Sequence, residues 1–237
     1  MPFYHRMGEI PHKRHTQFRR PDGGLYREEV MGLEGFHGLQ SILYHHFLPP
    51  RVLKTEYLGA AKTDYAEFGA VRHRAFTTVD VPAGGDAVQA RRVLLGNKDV
   101  TLGVSRPTLS MDYFYRNAQA YEVWFVHEGS GEHRSQFGRM AFEPGDYIVI
   151  PFGTTWQLHL DGDSARFFVI ESPSQIEPPK RYLNKFGQFL EHSPYCERDI
   201  RVPATLEPHT DTGEFEVRVK ARDGISRHVL DHHPFDV

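Results

Sequence analysis

The chain has 237 residues, 39% of them apolar and 25% charged, which is enough for a sizeable core in one large or two small domains and excludes a disordered chain. A net charge of −3 excludes an electrostatic drive toward nucleic acid or anionic membranes, and the single cysteine, Cys196, excludes an internal disulfide. The start, Met1-Pro2-Phe3-Tyr4-His5-Arg6, lacks the apolar segment of a secretory signal, and apolar runs such as 147–152 fall far short of the roughly 18–20 residues of a membrane helix. A cytoplasmic protein without nucleic-acid or membrane partners is expected. The 17 Phe, 11 Tyr and 2 Trp supply large buried surfaces, while 21 Gly and 16 Pro mark many turns and few long helices, a profile that leans all-β.

In chain order, residues 1–50 read as an N-terminal arm with little regular structure. The arm carries a basic run (Lys13, Arg14, Arg19, Arg20) and the turn Pro21-Asp22-Gly23-Gly24. Nothing else in the chain repeats the basic pattern, so these side chains are expected to pair with acids of another domain or subunit rather than with phosphates. From 51 to 172, short strand-like runs follow one another at the spacing of a sandwich or barrel. Val100, Leu102 and Val104 alternate with polar or small residues, and turns at Glu128-Gly129-Ser130-Gly131, Glu143-Pro144-Gly145-Asp146 and Asp161-Gly162-Asp163 separate the later runs. Three runs, 121–126, 147–150 and 167–170, are apolar on both faces and predict cover on both sides. Residues 173–237 open as an irregular linker through Pro173 and Pro178-Pro179, with one short helix expected around 182–190. A strictly alternating stretch, 214–220, then turns at Asp223-Gly224 and continues toward Val229 as a hairpin. The final His232-His233-Pro234-Phe235-Asp236-Val237 has neither cap nor polar tail, as if a second half were to follow.

The informative motif is a degenerate cupin pair. Cupins hold a metal with G-x5-H-x-H-x3,4-E-x6-G followed by G-x5-P-x-G-x2-H-x3-N; two histidines at period two and a later carboxylate then point into one lumen. Here Glu122 and Gly129 keep the E-x6-G spacing, and Gly145, Pro151 and Gly153 keep G-x5-P-x-G. The two early histidine positions fall on Tyr115 and Asn117, and the late one on Trp156. A phenol, an amide and an indole do not replace imidazoles around a first-row metal, so Tyr115, Asn117, Glu122 and Trp156 form a vestigial site with no metal and no catalytic residue expected. The fold expected is a cupin-like β-sandwich or barrel of the jelly-roll type.

Other metal and nucleophile readings are weaker. His45-His46 and His232-His233 are adjacent pairs whose side chains point to opposite faces of a strand. His127 and His133 flank a tight turn and could approach across a hairpin, but a third ligand is not evident. Cys196 has no base at a recognisable nucleophile spacing, and no phosphate-binding glycine loop or serine elbow appears.

Several stretches carry a family resemblance: Gly8-Glu9-Ile10-Pro11-His12-Lys13-Arg14-His15-Thr16-Gln17-Phe18-Arg19-Arg20-Pro21-Asp22-Gly23-Gly24-Leu25-Tyr26, Gly32 to Gly38, Leu43-Tyr44-His45, Tyr147 to Thr154, and His233-Pro234-Phe235-Asp236-Val237. Together they resemble homogentisate 1,2-dioxygenases. The resemblance implies an iron(II)-dependent ring opening of homogentisate to maleylacetoacetate by dioxygen in tyrosine and phenylalanine catabolism, in a homo-oligomer (trimers pairing into hexamers). In that family the iron ligands and the acid/base histidine follow the H-P-F-D-V-like segment, so none is carried onto a residue of this chain. The chain is then expected to be the non-metal N-terminal portion, inactive alone. The alternative is a stand-alone, non-catalytic cupin that serves as a binding or assembly module.

Overall fold

The computed structural model describes residues 17–61, 63, 65, 66, 70 and 72–237. It is an all-β sandwich whose strands follow turn signals already visible in the sequence.

A two-stranded hairpin, β1 (Arg27–Glu34) with β2 (His37–His45), comes first. The remaining strands are β3 (Val52–Gly59), β4 (Arg91–Gly96), β5 (Thr101–Ser105), β6 (Phe114–Asn117), β7 (Tyr121–Glu128), β8 (Gly131–Ser135), β9 (Gly138–Phe142), β10 (Tyr147–Ile150), β11 (Thr155–Leu160), β12 (Arg166–Ser172), β13 (Thr212–Ala221) and β14 (Gly224–His232). They form a five-stranded sheet in the order β10-β7-β12-β5-β4 and a seven-stranded sheet in the order β3-β14-β13-β6-β11-β8-β9. Every pairing is antiparallel except β13 with β6.

The two sheets enclose one core. Trp124, Val126, Ile148, Ile150, Phe167 and Val169 come from the inner face of the five-stranded sheet and meet Tyr115, Trp156, Leu158 and Phe142 of the other. Aromatic rings interlock edge to face here: Trp124 lies 5.5 Å from both Trp156 and Phe167. A smaller cluster of Phe114, Val217, Leu230 and Phe235 buries the opposite face of the seven-stranded sheet. The glycine skeleton has a steric cause. Gly129 sits at φ +88°, and a Cβ there would come within 2.7 Å of Ala165 Cβ and 2.8 Å of the Ser164 carbonyl oxygen, so this tight turn accepts only glycine. Gly145 also adopts a positive φ, and its N–H donates to the Val126 carbonyl at 2.9 Å, locking the turn from β9 into β10.

The structure departs from the sequence reading in several places. Residues 27–45 form a regular hairpin inside the expected irregular arm, while the hairpin expected from 214 toward Val229 is present as β13 and β14, which also join the seven-stranded sheet because β14 pairs β3 and β13 pairs β6. The helix expected around 182–190 is a single 3-10 turn at Lys180–Tyr182, closed by Leu190 N donating to the Tyr182 carbonyl and an isolated bridge between Leu183 and Phe189. The run 147–150 is not covered on both sides: Ile148 and Ile150 are buried, but Tyr147 and Val149 are 66% and 48% exposed, since the outer face of β10 is open to solvent. Lys13 and Arg14 of the basic run lie outside the described residues. Arg19 bonds the Gly23 carbonyl at 2.9 Å and Arg20 pairs with Asp22 at 3.1 Å, which makes a local turn rather than a contact with another domain. No helix among the described residues is long and apolar enough to cross a membrane.

Candidate functional site

β7 places Glu122 on the inner face of its sheet, two residues before Trp124, and the carboxylate is fully buried. Ladder register puts Glu171 of β12 directly opposite Glu122, while on the facing sheet Lys220 of β13 lies opposite Asn117 of β6. Two like charges side by side would repel. Arg91, from the start of β4, bridges them: its Nη1 donates to Glu122 Oε1 at 2.7 Å and its Nη2 to Glu171 Oε2 at 2.8 Å. Lys220 Nζ closes on Glu171 Oε1. The cluster therefore holds two carboxylates and two cations, a neutral set that tolerates burial.

Asn117 ties the two sheets together at this point. Its Nδ2 donates to Glu122 Oε1 at 2.8 Å and Glu171 Oε1 at 3.2 Å, and its Oδ1 accepts the N–H groups of Gln119 (2.9 Å) and Ala120 (3.1 Å). Trp124 Nε1 donates to Glu122 Oε2 at 3.3 Å, and the Arg91 guanidinium lies 5.5 Å from the Trp124 ring. Burial pushes the Glu171 carboxyl up, but Arg91 and Lys220 outweigh it and hold that group below the usual carboxylate range. Burial opposes the charge on Arg91, yet Glu122 and Glu171 raise its pKa above the usual arginine value, so it stays a cation.

The four vestigial cupin positions thus divide. Asn117 and Glu122 join in one hydrogen-bonded cluster, whereas Tyr115 and Trp156 are aromatic wall, with rings 5.4 Å apart and edge to face. Burial, then the Glu122 charge, raise the Tyr115 phenol well above its ordinary pKa, so it is neutral. His133, on the inner face of β8, lies 5.7 Å from Trp156, and burial lowers its pKa to about 4. His127 sits on β7 in the other sheet, exposed beside Phe125, so the pair His127 and His133 does not converge. Cys196 is half-buried and starts a 3-10 turn at Glu197–Asp199.

This donor set does not fit iron(II). Cationic and N–H donors already occupy both oxygens of Glu122, and they would repel a metal rather than yield to it. Among the described residues no group of three or more His, Cys, Asp or Glu is placed to hold a metal ion. What the cluster can do is clamp the two sheets together at one end of the aromatic core.

Sequence reasoning reached Glu122 and Asn117 but missed Arg91, Glu171 and Lys220. The available signal was charge at the ends of apolar runs: Arg91 precedes Val93-Leu94-Leu95, and Glu171 ends the run 167–170. A second buried ionic cluster was also missed. His45 at the end of β2 donates through Nδ1 to Asp236 Oδ1 at 2.7 Å and faces Glu29 Oε2 through Nε2 at 3.1 Å, while the N–H of Phe47 donates to Asp236 Oδ2 at 2.8 Å. Burial disfavours the imidazolium, but the two carboxylates prevail and raise His45 to about 9. Two stretches far apart in the chain, 43–45 and 233–237, thus meet at one contact.

No protein-family model matches the chain. Over its full length it is 40% identical, across 244 residues, to a curated protein of Saccharolobus solfataricus named "Putative dioxygenase SSO1533", and it spans 61% of that protein's length. Solved structures similar to parts of it include a double-stranded β-helix protein from Klebsiella pneumoniae (18% identity, 45% of this chain and 95% of that one, TM-score 0.37). A cupin-2 domain protein from Shewanella frigidimarina (20% identity, 35% and 78%, TM-score 0.31) and the Cnp3 cupin domain of Schizosaccharomyces pombe (10%, 35% and 62%, TM-score 0.33) are further examples. Likenesses at these scores carry no argument, and the fold rests on the sheet order described above.

Proposed function

We propose that this chain is the non-metal N-terminal portion of a ring-cleaving dioxygenase that opens homogentisate to maleylacetoacetate with dioxygen, as a homo-oligomer. The observation that carries the dioxygenase class is the 40% identity, along the whole chain, to a protein named as a dioxygenase. The homogentisate substrate, and with it a place in tyrosine and phenylalanine catabolism, is supported by the resemblance of the stretches 8–26, 43–45 and 233–237. Since the Glu122 oxygens are taken by Arg91, Asn117 and Trp124, the iron(II) of this reaction is assigned to residues outside the 237 of this chain. The chain's own contribution is a rigid scaffold: the clamp at Glu122 fixes the spacing of the sheets, and the His45 contact fixes the hairpin against 232–237.

The test compares the 237-residue chain with a protein extended to the length of the relative. Dialysed protein is analysed for iron and assayed for oxygen uptake with homogentisate. The extended protein should hold about one iron per chain and consume oxygen, while the 237-residue chain should do neither. Ring cleavage by the 237-residue chain with its own stoichiometric iron would overturn the scaffold reading, and an extended, iron-loaded protein inert toward homogentisate would overturn the substrate.

A further inference from the structure

The outer face of the five-stranded sheet carries a groove of about 400 Å³. Strand alternation supplies its floor. The inward residues of β7 and β12 are Trp124, Val126 and Phe167, so Phe125 and Phe168, directly opposite each other in the ladder, face outward. Leu102 and Val104 of β5 continue this floor, and Phe76 and Thr78, from the segment before β4, form a rim. That segment is held down by Arg106, whose Nη1 donates to the Val81 carbonyl at 2.6 Å. Volume and composition both match small-molecule sites, which typically run about 300–1,000 Å³ and combine apolar walls with few polar groups.

One end of the groove is different in kind. Arg166 and His127 line it there, next to a ladder irregularity between Arg166 and Phe167. Arg166 pairs through Nη2 with Glu128, but its Nε is buried without a hydrogen-bond partner. The two partners differ in burial: the Arg166 side chain is 17% exposed, that of Glu128 62%. A solvent-facing carboxylate that engages one edge of a more buried guanidinium is a partner that a ligand carboxylate can displace, because the ligand would satisfy Nε as well.

We propose that this groove binds an amphipathic monocarboxylate, an apolar alkyl or aryl body along Phe125, Phe168 and Leu102 with its carboxylate on Arg166. The apolar body removes exposed aromatic surface from water, and the carboxylate answers the unmet Nε–H. Neither half suffices: an uncharged apolar molecule leaves Nε unpaired, and a small carboxylate has Glu128 to compete with.

Titration calorimetry with decanoate, 1-decanol and acetate tests this, with the probes kept below their aggregation concentrations. Decanoate should bind saturably at one per chain, with decanol at least about tenfold weaker and acetate undetectable. Arg166→Leu should bring decanoate down to the affinity of decanol. Glu128→Gln, which removes the competing carboxylate, should tighten decanoate, an effect a merely structural ion pair would not produce. Thr78→Trp, on the rim rather than in the sheet, should fill the groove and abolish binding without touching Arg166. Absence of saturable decanoate binding, equal affinity for decanol, or indifference to both Arg166→Leu and Thr78→Trp would overturn the proposal.

Discussion

Among the described residues, two buried ionic clusters tie distant parts of the chain together, and they differ in which charges they use. At Glu122 the cations are Arg91 and Lys220, and the anions Glu122 and Glu171 lie on neighbouring strands. At His45 the cation is an imidazolium held between Glu29 and Asp236, which belong to opposite ends of the chain. The Arg91 guanidinium, raised further by Glu122 and Glu171, stays charged at any pH the fold meets, whereas an imidazolium is charged only while its carboxylates keep it so. The first cluster is therefore a permanent clamp between sheets, and the second a contact whose strength depends on pH.

The largest expected effect is on the permanent clamp. Glu122→Ala leaves Arg91 with one of its two carboxylates and strands the donors of Asn117 and Trp124, so the loss should be about 3–5 kcal/mol, as for other broken buried pairs. Thermal melting measures it, and a melting point within a degree of the wild type would mean that the core repacks around the deletion. In an extended, active protein, turnover per folded molecule should barely change.

The His45 contact should respond less to substitution but differently to pH. His45→Ala should cost about 1–3 kcal/mol by leaving Asp236 with the Phe47 N–H alone. In the wild type the folded His45 pKa of about 9 lies above its ordinary value near 6.5, so its contribution is fully present below about pH 6.5 and is lost as pH rises through about 9. Denaturant melts between pH 6.5 and 9.5 should show this decline in the wild type and lose it in His45→Ala. Equal slopes in both proteins would mean that His45 does not set the decline.

Acid reverses the logic. Hydrogen bonding to His45 holds Glu29 below the usual carboxylate range, and the same partner, with the Phe47 N–H, outweighs burial at Asp236. Burial lowers both His133 and His233 to about 4, with His209 adding to the effect at His233. For each of these groups the folded pKa lies below the unfolded one, so stability present at neutral pH should fall, first from about 6.5 toward 4 as the histidines take up protons, then further as the carboxylates do. Substituting His133 by Phe, which cannot titrate and keeps the ring against Trp156, should flatten the earlier part of that fall.

The smallest effect should come from Lys220→Met. Lys220 is the most exposed member of its cluster, and Glu171 keeps Arg91 and Asn117 as partners in its absence, so although one negative charge is left unbalanced at the solvent-facing end, a loss of about 1 kcal/mol is expected. A loss as large as that of Glu122→Ala would mean that the cluster fails as a unit.

The sequence by itself determined the elements that depend on neighbours along the chain. Period-two alternation placed Glu122, Trp124 and Val126 on one face, and the turns at 128–131 and 143–146 are legible because glycine is the residue that a positive φ and a close approach such as that of Ala165 to Gly129 accept. The identity of Tyr115, Asn117 and Trp156 at the cupin ligand positions was likewise open to reading. Only the tertiary structure decided what surrounds Glu122. Arg91 reaches it across 31 positions and Glu171 across 80, while Lys220 reaches Glu171 across 49. It also decided that β13 and β14 complete the same sheet as β6, and that His45 meets Asp236 across 191 positions. Side-chain periodicity says which way a residue faces, but register and the packing of one sheet on another say whom it meets, and those depend on the whole chain folding at once.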